Sequence, residues 1–149
     1  MYKHILIATD GSELAQKGLD HGLALAKSLG AAVTVVTVTA NELMSYREIA
    51  EEVNRGHNPF ETFRAAMEKE ANRILESASE KARTAGVTIR TEHVAERPPA
   101  EGIIEAATEN QADLIIMSSH GRRGIQRLML GSQTAEVVAT SKIPVLVIR

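Results

Sequence analysis

The chain has 149 residues, a formal net charge of −2, 24% charged and 44% hydrophobic residues, and no cysteine. This is the make-up of an ordinary globular domain of one core, so residues 1–149 are expected to form a single domain. It excludes disulfide and thiol chemistry, argues against broad attraction to nucleic acid, and offers no apolar run long enough for membrane insertion.

The first run, His4 to Thr9, is short and apolar, and the turn signal "DGS" stops it. It reads as a buried strand. With Asp10 interrupting it, the run is too short for a secretory signal, and a cytoplasmic protein is expected. Ser12 to Leu29 turns helical, with Ala15, Leu19, Gly22, Ala26 and Leu29 at spacings of three and four and Gly30 suited to the C-cap. Gly18 and Gly22 weaken that helix unless close packing compensates. Ala32 to Ala40 is rich in β-branched residues and reads as the second strand.

Residues 41 to 58 are polar, with weak helical character, and suit a flexible excursion over a site. Phe60, Phe63, Met67, Ala71, Ile74, Leu75, Ala78 and Ala82 define one long amphipathic helix closed by Gly86. Val87 to Val94 alternates like a half-exposed edge strand. After "RPP" a helix runs from about Ala100 to Asn110, then Asp113 to Ser118 forms a strand apolar on both faces. Gln133 to Thr140 makes the last helix and "IPVLVIR" the last strand.

Strand and helix therefore alternate through five strands, which implies an α/β fold: an open five-stranded parallel sheet with helices on both faces. The uniformly apolar first and fourth strands belong in the centre and the amphipathic third at an edge, which gives the order 3-2-1-4-5. The chain then reverses direction between strands one and four, where ligands bind at the carboxyl ends of open α/β sheets.

The loops meeting there are "TDGS" and "SSHGRRG". Gly121 and Gly124 can take φ > 0 and expose amides. Gly131-Ser132 precedes a helix whose N-terminus favours a phosphate, and Ser118, Ser119 and Ser132 add hydroxyls. A plainer reading stands beside this one: Gly131 ends a turn, Ser132 is an ordinary N-cap, and Asp10, three residues before Glu13, caps the first helix. Ser119-His120 does not read as a catalytic pair, because neighbours on a strand end point apart and no G-x-S-x-G elbow is present. A Walker sequence is also missing, so any ATP hydrolysis is expected to be slow. The five histidines show no paired ligand spacing.

The whole chain resembles the universal stress protein family, through "ILIATDGSE", "ADLIIMSSHGRRG" and "IPVLVIR". Its nucleotide-binding branch carries Gly, two residues, Gly, nine residues, Gly, then Ser or Thr. Gly121, nine residues and Gly131-Ser132 match in register, while Ser118 replaces the first glycine. The resemblance implies a fold of the adenine nucleotide alpha hydrolase-like type and the binding of ATP or AMP. By that resemblance Ala8, Thr9 and Asp10 end strand one, with Asp10 near the ribose or a metal-bridged phosphate. Val38 faces the adenine and Met117 backs the nucleoside. Ser118, Gly121, Gly131, Ser132 and the Gln133 amide take ribose and phosphates, with Arg123 as an outer cation. Mg2+ or Mn2+ would arrive with the nucleotide, held by Asp10. A serine at position 118 costs about 1–2 kcal/mol if the site demands φ > 0, and little if it demands only a small residue.

The resemblance also implies a homodimer through the last strand, at Val145, Leu146, Val147 and Ile148, an apolar edge open to pairing. The expected role is a dimeric nucleotide-dependent stress regulator acting on an unidentified regulatory protein. The alternative is a dimeric interaction module of the same fold that binds no nucleotide.

Overall fold

A computed structural model describes residues 1–40, 43–121 and 130–149. The elements in chain order are β1 (His4–Ala8), α1 (Glu13–Leu29), β2 (Ala32–Thr39), α2 (Tyr46–Asn54), α3 (Pro59–Ala85), β3 (Ile89–Ala95), α4 (Pro99–Glu109), β4 (Leu114–Ser118), α5 (Ser132–Thr140) and β5 (Val145–Ile148). The five strands form one sheet in the order β3-β2-β1-β4-β5, and every pairing is parallel. The expected order is therefore the observed one.

Alternation along each strand divides the core in two. Ile5, Ile7, Val33, Val35, Leu114 and Ile116 point to one face and pack under Leu19, Leu23 and Ala26 of α1 and Leu75, Ala78 and Ala82 of α3. Leu6, Ala8, Val36, Ile115 and Met117 point to the other, under Ala100, Ile103, Ala106 and Ala107 of α4 and Val137 of α5. Strands β1 and β4 are buried on both sides, which is why their sequences are apolar without alternation. Each fully buried aliphatic side chain among them contributes roughly 1.5–3 kcal/mol.

Of the two glycines inside α1, Gly22 has a packing reason: an added Cβ would stand 2.5 Å from Ile7 Cδ1. At Gly18 the nearest atom, the Ser118 amide nitrogen, is 3.7 Å away, so that site has room for a methyl. Leu29, read from its spacing as part of the apolar stripe, is instead largely exposed, because the helix ends at Gly30 in a left-handed cap with φ 64°. Residues 46 to 54, expected only to be polar and weakly helical, form α2. Ser45 and Glu48 make a reciprocal capping box there, and none of its residues is buried. No helix among the described residues is long and apolar enough to cross a membrane.

Candidate functional site

At the carboxyl ends of β1 and β4 the two loops meet in direct contact. A Cβ added to Gly121 would lie 2.8 Å from Asp10 Oδ2, so the second loop approaches the carboxylate as closely as a glycine allows. Asp10 is held from its other oxygen, Oδ1, which accepts from the Ser12 amide at 2.9 Å. The expected alternative, Asp10 as the helix cap, is not what forms: Ser12 is the N-cap and its hydroxyl accepts from the Ala15 amide. Asp10 instead closes an Asx turn ahead of the helix, which fixes its carboxylate beside Gly121. Thr9 is buried, donates its amide to the Val36 carbonyl and accepts the Gly11 amide on its hydroxyl.

Ser118 is the last residue of β4. The described non-glycine residues with positive φ are Glu96 and Gln111, so the serine in place of the first signature glycine carries no left-handed strain. Its hydroxyl donates to the His120 carbonyl at 2.8 Å, bracing the turn from within. Gly121 is likewise outside the left-handed set, which comprises Gly11, Gly30, Gly56 and Gly86. Close approach, rather than the expected φ > 0, is what position 121 asks of its residue. Gly124 and Arg123 lie outside the described residues.

The N-terminus of α5 is latched onto the end of β4. The Gly131 amide donates to the Ser119 carbonyl at 2.8 Å, and Thr134 Oγ1 donates to the Ser118 carbonyl at 2.9 Å. Gly131 itself is the N-cap, with φ −59° and ψ 153°, and no side chain among the described residues caps the helix. Ser132, read as a possible N-cap, is therefore the first helical residue and exposed. A Cβ on Gly131 would stand 3.2 Å from the Ser119 carbonyl oxygen, a tight fit that a larger residue relieves only by shifting that carbonyl a few tenths of an ångström. The opening amides of a helix have no intrahelical acceptor and carry the positive end of its dipole.

The remaining expected site residues flank this point. Ala8 and Met117 are buried on the α4–α5 face. Val38 is half-buried on the same face and seated against Gly102 of α4, where an added Cβ would come within 2.7 Å of Val38 Cγ1. Gln133 has a second role that its sequence did not signal: Oε1 accepts from the Ala100 amide at 3.0 Å, capping α4 from a neighbouring helix. That cap answers a visible need, since α4 opens on Pro98-Pro99 with no side-chain cap of its own.

Ser119 and His120 correct another expectation. Rather than pointing apart, Ser119 Oγ and His120 Nδ1 lie 3.1 Å apart. β4 ends at Ser118, so strand alternation no longer governs the next two side chains. Ser119 is nevertheless buried and its amide is tied to the Ile148 carbonyl, a setting for support rather than attack. Among the described residues, no group of three or more His, Asp or Glu side chains is arranged to hold a metal ion.

The profile of the Universal stress protein family matches residues 1–149. The chain belongs to the universal stress protein family. It is 33% identical to universal stress protein YxiE of Bacillus subtilis over the full length of both. Among solved structures, protein MJ0577 of Methanocaldococcus jannaschii superposes with a TM-score of 0.78 at 31% identity, covering 99% of this chain and 96% of that one. A universal stress protein solved in complex with cAMP superposes with a TM-score of 0.69 at 25% identity, covering 99% and 97%. The family and the five-stranded fold expected from the sequence are both established by these matches.

Proposed function

We propose that this universal stress protein binds an adenine nucleotide, ATP or AMP, at the junction of β1 and β4. The observation that carries the reading is the pairing of Asp10 with Gly121 beside a helix N-terminus whose N-cap is a glycine. Such an opening suits an anion, because backbone amides and the helix dipole both favour negative charge there. The relative solved with cAMP supports an adenine nucleotide as the class of ligand.

In this reading the amides of Ser132 and Gln133, with the Ser132 hydroxyl, hold the phosphates, while Gly121 and Gly131 keep the floor free of side chains. Ala8, Thr9, Val38 and Met117 form the wall for the nucleoside, and Ser118 braces the turn. Asp10 takes the ribose, or a Mg2+ or Mn2+ ion carried in by the phosphates. Arg123 remains an outer cation for the phosphates. Three or four charge-assisted hydrogen bonds, each worth roughly 1.5–3 kcal/mol, support micromolar affinity once binding costs are met.

The protein acts as a regulator that reports nucleotide through its surface, as a dimer paired along β5. Of the four β5 residues expected at that interface, Leu146 is the most open, at 39% exposure, while Val145, Val147 and Ile148 are half-buried. Among the described strands β5 pairs only with β4, so its outer edge is open to pairing.

Ser132→Glu tests the site. An acidic first-turn residue stabilises a helix, so the fold should hold, while its charge opposes a phosphate. Calorimetry should read an ATP affinity lowered by at least about tenfold, roughly 1.4 kcal/mol, with the melting temperature kept. Undiminished binding rejects the site, and a wild-type chain that ignores ATP favours an interaction module without nucleotide.

A further inference from the structure

The first three turns of α3 carry Phe60, Phe63 and Met67, yet these side chains do not join the core. Together with Leu43 and Met44 they line a cleft of about 650 Å3 at the carboxyl ends of β2 and β3. It lies on the α1–α3 face of the sheet, opposite Ala8, Val38 and Met117. Phe60 remains 64% exposed and Leu43 fully exposed, although burial would favour both.

Among the described residues the polar lining of the cleft is Thr39, Arg64, Glu68, His93 and Glu96. His93 is hydrogen-bonded to Thr39 Oγ1 at 2.8 Å, and Arg64 pairs with Glu96 at 3.2 Å. Glu68 has no hydrogen-bond or ionic partner among the described residues. Two carboxylates thus face one guanidinium. Glu96 also holds a left-handed φ of 57°, a conformation costly for its type, at the cleft margin.

We propose that this cleft docks a short amphipathic helix of a partner protein, with apolar anchors on one face and a lysine or arginine beside them. Flexible methionines and phenylalanines accommodate aliphatic anchors of varied shape. The excess negative charge selects a basic flank and repels an acidic one. The cleft is separate from the nucleotide site, and its occupancy does not depend on that reading.

The test uses the full chain, a synthetic amphipathic helix of leucine and lysine, and its leucine–glutamate counterpart. Methyl NMR should shift Met44 and Met67 and leave the buried Met117 in place. Glu68→Lys should weaken the leucine–lysine helix by at least about tenfold. Glu80→Lys makes the same charge change on an exposed position of the same helix, about 18 Å along the axis, and should bind like wild type. Phe60→Ser, at an exposed site, should also bind weakly while melting normally. Equal loss in both lysine variants, equal binding of the glutamate helix, or shifts confined to Met117 would overturn the proposal. So would uptake of a nonionic alkyl glucoside with no binding of either helix, which assigns the cleft to a small amphiphile.

Discussion

At Gly102 a single absent methyl decides how closely α4 approaches the sheet. An added Cβ would meet Val38 Cγ1 at 2.7 Å and Val94 Cγ1 at 3.3 Å, and β-branched valines have few rotamers to retreat into. Gly102→Ala gains up to about 1 kcal/mol of helix propensity but incurs about 1–3 kcal/mol of overpacking. A lower melting temperature is expected, with weaker ATP binding as Val38 is displaced; an unchanged melting curve would contradict the packing account. Asp113 makes a pH-dependent contribution. Burial works to raise its carboxyl, but the amides of Lys3 and His4, donating at 2.8 and 3.1 Å, outweigh it and hold the group below its ordinary value. The stabilisation is present above the ordinary carboxylate pKa of about 3.9 and is lost as pH falls through the depressed folded value. Asp113→Asn should therefore cost about 1–2 kcal/mol at neutral pH in urea unfolding, and the gap should close in strong acid. A gap that persists there would contradict the account. Roles such as these are hard to read in a sequence. Asp10 and Ser12 both have capping chemistry, and only the backbone path decides that Ser12 caps. Gln133 serves α4 across a gap of 33 residues that no local pattern encodes.

The elements were legible where burial imposes a period. Strands β1 and β4 announce themselves by unbroken apolar runs, and α3 by its stripe at spacings of three and four. The same stripe misleads at one end: Phe60, Phe63 and Met67 keep helical register but line an open cleft, because periodicity shows which residues share a face and not what covers it. α2 was only weakly legible for the opposite reason, since no residue of it is buried and its helicity rests on local capping. Ser45→Ala removes the hydroxyl that accepts the Glu48 amide, while the backbone amide of residue 45 can still donate to the Glu48 carboxylate, at a cost of about 1 kcal/mol. Amide exchange in residues 46 to 54 should accelerate while the global melting temperature stays fixed. Unchanged protection would mean that α2 is held by packing instead.

For the whole molecule, sheet order followed from the sequence because two central strands must be apolar on both faces and right-handed crossovers leave few arrangements. The proposed dimer is a separate matter, and it is assigned to the outer edge of β5. Leu146→Arg should yield a monomer in light scattering at low micromolar concentration, and a retained dimer mass would point to another interface. The proposed nucleotide site rests on the crevice that this order creates, with Gly121 and Gly131 as its floor and the first amides of α5 facing it. Its most direct measurement is an ATP titration of the full chain followed by amide chemical shifts. Saturable shifts at Gly121, Gly131, Ser132 and Gln133, with Met117 moving in step, are the predicted result; a spectrum unchanged at millimolar ATP would contradict the account.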